Sequence, residues 1–198
     1  MRFKNAMLFT LLMSLSVPVL PAAIEPVANE PSAEEAEAAA REYFTDTILV
    51  TQDGEEVRFF TDVLKDQVVA INFIFTHCLG ACPIITERMK MARNILGEDL
   101  GNSIRYVTIS IDPARDTPAA MKEFKETHRA DGNWVFLTGK KENLDNVVKR
   151  LGQYFPEVEE HSTLVIAGNV AKQHWMKILP TVPPGGIAEK LRMLVGGT

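Results

Sequence analysis

The sequence predicts an α/β fold: a central mixed sheet flanked by helices, with an N-terminal β-hairpin. Three observations carry this. Val68 to Phe75 (VVAINFIF) and Ile104 to Ile111 (IRYVTISI) are β-branched, aromatic-rich runs that read as buried strands. After the first comes IITERMKMARNIL, from Ile84 onward, in which Ile85, Met89, Ala92 and Leu96 fall on one helical line, with Ile84, Arg88 and Arg93 off it. Short apolar runs also flank Asp53-Gly54 and Gly168-Asn169, residue pairs suited to hairpin turns.

The elements follow in order. Arg2 and Lys4 precede an apolar stretch, Ala6 to Leu20, and then the small residues Ala22 and Ala23. This order of charged, apolar and small residues is that of an export signal, and the apolar stretch is short for a membrane span. Residues 1–23 are therefore expected to be a signal peptide, with an uncleaved anchor as the alternative. Residues 24–45 are expected to be a Pro-containing tether followed by a loosely docked helix from Glu34 to Phe44, and residues 46–198 the folded domain. In that domain Thr47–Val50 and Val57–Phe60 pair as a hairpin. Thr117 and Pro118 supply the N-cap and first residue of a helix running to about His128. Trp134–Leu137 is a short strand, and Glu142–Leu151 a helix. Thr163–Ile166 and Lys172–Ile178 form a second hairpin, and Ile187–Val195 a last helix.

Composition narrows the function. The chain has 198 residues and a net charge of −5, with no basic run, which argues against nucleic acid or an anionic membrane surface as partner. Its two cysteines are too few for a disulfide scaffold. They stand at Cys78 and Cys82, between the first buried strand and its helix, with Pro83 in the helix's first turn. The positive end of a helix dipole favours thiolate there.

A strand, a cysteine pair, a helix and a late antiparallel hairpin together form a thioredoxin-like layout. Sulfurs at i and i+4 on a loop and a helix start can close a disulfide or grip one ion from the same side. A structural zinc would normally take four protein ligands, and no third cysteine exists. Two thiolates and one imidazole suit copper, as Cu(I) or Cu(II). Of the four histidines, His77 is expected to point away from Cys78, His128 ends a helix where a cation is favoured, and His174 reads as an exposed strand residue. His161 follows the acidic run Glu157–Glu160 and precedes the strand STLVI. In a thioredoxin-like layout that loop faces the cysteines, so His161 is the candidate third ligand. Met89 and Met91 read as core filler. Asp112, Arg115 and Asp116 read as a turn and ion-pair network supporting the site.

Four motifs in order resemble the Sco/SenC family: Phe75-Thr76-His77-Cys78-x-x-x-Cys82-Pro83, Ser110 through Pro118 (SIDPARDTP), Phe136-Leu137-Thr138-Gly139, and His161-Ser162. The resemblance runs from the first hairpin to the last strand. It implies a thioredoxin fold and one copper bound by Cys78, Cys82 and His161, with Cys78–Cys82 the disulfide on oxidation. It also implies delivery of copper to the CuA centre of cytochrome c oxidase, or to another periplasmic cuproprotein, or reduction of that centre's cysteines. The implied location is periplasmic, with membrane attachment only if the N-terminal segment is retained. Departures from the family pattern are Leu79-Gly80 where Pro-Asp is usual, Glu160 where Asp commonly precedes the histidine, and Ala167-Gly168-Asn169 in place of Asp-Pro-x-Gly. Beside the metallochaperone stands a thiol–disulfide oxidoreductase using the same two cysteines. A peroxidase is weaker, with no arginine close in sequence to the cysteines. A permanent Cys78–Cys82 staple would stabilise little, because the loop it closes is small.

Overall fold

The computed structural model describes residues 32–154 and 163–196. The elements are α1 (Ala33–Phe44), β1 (Ile48–Thr51), β2 (Glu56–Arg58), a π-helical turn (Phe59–Leu64), β3 (Val68–Ile74), α2 (Ala81–Ser103) and β4 (Ile104–Ser110). They continue with α3 (Pro118–Thr127), β5 (Trp134–Thr138), α4 (Lys141–Arg150), β6 (Val165–Asn169), β7 (His174–Ile178) and α5 (Pro184–Gly196). Among the described residues seven strands form one sheet in the order β2-β1-β5-β4-β3-β6-β7. The β3–β4 and β4–β5 pairs are parallel, and the β1–β2, β1–β5, β3–β6 and β6–β7 pairs are antiparallel. The sheet is mixed, as expected.

Both faces of the central strands are covered. Along β3, Ala70 and Ile74 join the core beneath α2, α3 and α5, while Val69, Ile71 and Phe73 join the core beneath α4 and the π-helical turn. This two-sided burial is why the run reads as nearly continuous apolar sequence. Three polar side chains in the core are linked in a row: the Trp134 indole donates to Thr108 Oγ1 at 2.8 Å, and Thr108 donates to Asn72 Oδ1 at 2.7 Å. These bonds tie β5, β4 and β3 together inside the core.

Several expectations are corrected. The hairpin strand expected over Val57–Phe60 ends at Arg58, and Phe59 begins the π-helical turn. Phe59, Phe60, Val63 and Leu64 are its buried residues, an i, i+1, i+4, i+5 spacing that belongs to a helical face and not to an alternating strand. The Lys65 N–H donating to Phe60 O at 2.8 Å closes it, and Asp62 accepts from the Arg58 N–H at 2.7 Å. Gly168-Asn169 does not form the second turn; both residues lie in β6, and the chain reverses over Val170 to Gln173. Gly168 pairs with Trp175, and a Cβ there would overlap the indole, so its glycine serves close packing. Asn169 donates to Leu194 O at 3.0 Å and accepts from the Lys172 N–H at 3.0 Å. The strands expected over Thr163–Ile166 and Lys172–Ile178 accordingly shift to β6 and β7.

The first helix is fastened rather than loose. Ser32 and Glu35 form a reciprocal capping box at its start. Glu37 pairs with Lys65 at 2.9 Å, Arg150 donates to Tyr43 O at 3.0 Å, and the Phe44 ring lies 4.8 Å from the Trp175 ring. The cysteine helix begins at Ala81, three residues before its expected periodic run, and continues past Leu96 to Ser103 through a break at Gly97, where φ is +79°. Among the described residues no helix is long and apolar enough to cross a membrane.

Candidate metal centre

The parallel strands β3, β4 and β5 end on the same side of the sheet, and the site is built on those ends. After Ile74 the chain turns through Phe75, Thr76 and His77, closed by the Cys78 N–H donating to Phe75 O at 3.1 Å. Gly80 is the N-cap of α2, so Cys82 lies in the first turn, with Pro83 following it. A helix's first N–H groups have no partners within the helix, and here they turn toward Cys78. The Cys82 N–H donates to Cys78 Sγ at 3.4 Å, with further donation from the Gly80 and Ala81 N–H groups.

Both cysteines are thiols in this structure. Cys78 is half-buried at the surface, whereas Cys82 is fully buried in the core that contains Ile85 and Met89. The Cys82 thiol donates to the Cys78 sulfur, and the Phe75 N–H donates to Cys82 Sγ. Two sulfurs of opposite character result. Burial works against a Cys78 thiolate, but the donors from Cys82, Gly80 and Ala81 outweigh it and hold Cys78 below the ordinary thiol value. Burial pushes Cys82 up to about 12, helped by its bond to Cys78 and by the charge of Asp116. The contact between the sulfurs makes the pair chemically one unit, suited to a shared soft ion or to a disulfide.

The loop after β4 supports this unit as expected. Asp112 pairs with Arg115, its N–H donates to Ser110 Oγ at 3.1 Å, and the Asp116 N–H closes the turn on Asp112 O at 2.9 Å. Asp116 is 0% exposed. Its carboxylate accepts from the Thr76 N–H at 3.0 Å, the Thr76 hydroxyl at 2.6 Å and the Ser110 hydroxyl at 2.6 Å. Thr138, at the end of β5, donates to Asp116 O at 2.6 Å. The sequence places two aspartates in this loop, both buried, but carries no signal for which of them meets Thr76. The sequence motif carries Thr76 but names no partner for its hydroxyl, and Phe75 acts through backbone atoms, which leave no residue-type signature.

The histidines separate clearly. His77 is exposed, with Nδ1 3.1 Å from Thr76 Oγ1. His128, expected as a helix-end cation, instead packs its ring 4.3 Å from that of Phe124; burial and nearby Lys90 lower its pKa and favour the neutral ring. His77, His128 and Cys78 line one open groove of about 450 Å³ between the cysteine loop and α3. His174 is exposed on β7. His161 lies outside the described residues, and among those described no cluster of three or more His, Cys, Asp or Glu forms a metal cage.

The SCO1/SenC family model matches residues 33–195. The SCO1 homolog of Bacillus subtilis is 34% identical over 90 residues, 44% of this chain and 45% of that protein. The chain thus spans about half the length of the curated relatives it matches. Among solved structures, copper-bound ScoI of Bradyrhizobium japonicum superposes with a TM-score of 0.63 at 24% identity, covering 75% of this chain and 96% of that one. BsSco, a member of the Sco family of cytochrome c oxidase assembly proteins in which a disulfide switch is identified, gives 0.64 at 22%, covering 78% and 94%. At these identities the superpositions show the fold, which is thioredoxin-like. With its cysteine pair at the strand-to-helix junction and a family match over most of its length, this chain belongs to the SCO1/SenC family.

Proposed function

We propose that this protein is an exported metallochaperone. Its cargo is one copper ion, held by Cys78, Cys82 and His161 and passed to the CuA centre of cytochrome c oxidase or another periplasmic cuproprotein. The observation that carries this reading is the contact between the two sulfurs, one half-buried and thiolate-favouring, the other buried. Such a donor set fits Cu(I), which prefers soft sulfur, and an added imidazole makes Cu(II) tolerable. Binding through both sulfurs would require Cys82 to release its thiol proton to solvent. The family membership and the copper-bound relative support the same reading. Export is inferred from Arg2, Lys4 and the apolar stretch after them: we assign residues 1–23 as the signal and the residues that follow as a tether leading into α1.

Titration of the reduced protein with Cu(I) against a chromophoric chelator tests this. One equivalent should bind; Cys78→Ser or Cys82→Ser should abolish binding, and His161→Ala should weaken it roughly tenfold or more. Retention of copper by both cysteine variants would contradict the assignment.

The sulfur asymmetry also favours a second reading, a thiol–disulfide oxidoreductase. Cys78 would be the attacking thiolate and Cys82 the protonated resolving thiol, passing through a mixed disulfide. On that reading a protein purified from an oxidising compartment would be metal-free, and His161→Ala would leave reductase activity intact.

A further inference from the structure

We propose that Asp116 is a positioning residue that holds the Cys78–Cys82 pair in its dithiol form by clamping Thr76. The Asp116 carboxylate sits fully buried at the end of the loop after β4. Two of its three hydrogen bonds described above go to Thr76, through the backbone N–H and the hydroxyl. Thr76 is the residue between the two halves of the cysteine turn. On one side, Phe75 receives the Cys78 N–H on its carbonyl and donates its own N–H to Cys82 Sγ. On the other, His77 leads directly into Cys78 and leans on the Thr76 hydroxyl at 3.1 Å.

Asp116 itself is fixed from two further directions. Its N–H is held by Asp112 O at 2.9 Å and its carbonyl by the Thr138 hydroxyl at 2.6 Å. The ends of three neighbouring strands are thereby locked to the turn that carries Cys78. Closing a disulfide removes the Cys82 S–H donor and draws the two sulfurs to bonding distance, which displaces this turn. A turn held at Thr76 resists that displacement.

The proposal rests on Cys78 and Cys82 being the working pair, and not on copper, so its test uses metal-free protein. The protein is equilibrated with reduced and oxidised glutathione. Two S–H bonds break and one S–S bond forms between Cys78 and Cys82, while two electrons and two protons convert glutathione disulfide into two glutathione thiols. Asp116→Asn keeps an acceptor for Thr76 and removes the charge, Asp116→Ala removes both, and Thr76→Val removes the hydroxyl alone. Asp116→Ala is expected to shift the equilibrium toward the disulfide about tenfold, which is about 30 mV for this two-electron couple. Asp116→Asn and Thr76→Val should shift it less, in the same direction.

A role confined to stability would lower the melting temperature and leave the thiol–disulfide equilibrium unchanged, and that result overturns the proposal. If Asp116→Ala does not fold, the near-isosteric Asp116→Asn and Thr76→Val decide by the same criterion. A wild-type protein that binds no Cu(I) would remove the copper reading while this equilibrium still reports on Asp116.

Discussion

Around Cys78, three backbone N–H groups of the α2 start converge on one sulfur, whereas Cys82, four positions on, is sealed under Ile85 and Met89. The same side chain therefore acquires opposite acidity from its surroundings: hydrogen bonds to the charged form against desolvation of it. This asymmetry has a measurable consequence for stability. Cys82 is raised from 9.0 to about 12 in the folded protein, so the folded state holds this proton more tightly than the unfolded chain does. Its contribution is fully present below about pH 9 and is lost as pH rises toward the folded value, at up to about 1.4 kcal/mol per pH unit. Cys78 is shifted the other way; its contribution is complete above the ordinary thiol value and does not offset this loss. Urea unfolding of the metal-free dithiol protein should show stability falling between about pH 9 and pH 11 in this way, with the slope reduced in Cys82→Ser. Identical slopes in the two proteins would show that Cys82 ionises normally. The cysteines and their helix-start position were legible from spacing alone. The second sulfur's burial was not, because Cys-x-x-x-Cys gives no depth until the turn at Phe75–His77 is folded.

At the level of elements, the strand–turn–helix unit around the cysteines follows from patterns visible in the chain: an apolar run, then a helical line through Ile85, Met89 and Ala92, all three buried. The differences arise where a residue type has two uses. Gly168-Asn169 has the composition of a turn, yet Gly168 sits in β6 because the Trp175 indole occupies the space of its missing side chain. Phe59-Phe60 has strand composition, but its burial together with Val63 and Leu64 requires a helical turn. Both outcomes depend on partners distant from the local window, which no short pattern encodes. A direct check is Gly168→Ala, which forces the indole off its packing against Phe44. We expect a loss of about 1–3 kcal/mol, seen as a lower urea midpoint with unchanged slope. An unchanged midpoint would show that the Trp175 indole yields to a side chain at Gly168.

On the scale of the whole molecule, parallel pairing of β3, β4 and β5 brings three sequence-distant ends to one edge: the Phe75–Cys78 turn, the Asp112–Asp116 loop and Thr138. Ligand sites in open α/β sheets form outside the carboxyl ends of such strands, and the cysteine pair stands there. The order of strands and helices, legible as periodicity, was enough to anticipate this convergence. The contacts that fasten α1 through Glu37, Phe44 and Arg150 were not, because the Ala/Glu-rich composition of that helix suits a solvated segment equally well. The central claim is that copper is held by both sulfurs and the His161 imidazole. X-ray absorption at the copper edge of the loaded protein tests it most directly. The account predicts two sulfur scatterers and one nitrogen, with the nitrogen lost in His161→Ala and a sulfur lost in Cys78→Ser. An unchanged nitrogen signal in His161→Ala, or a shell without two sulfurs in the wild type, would contradict it.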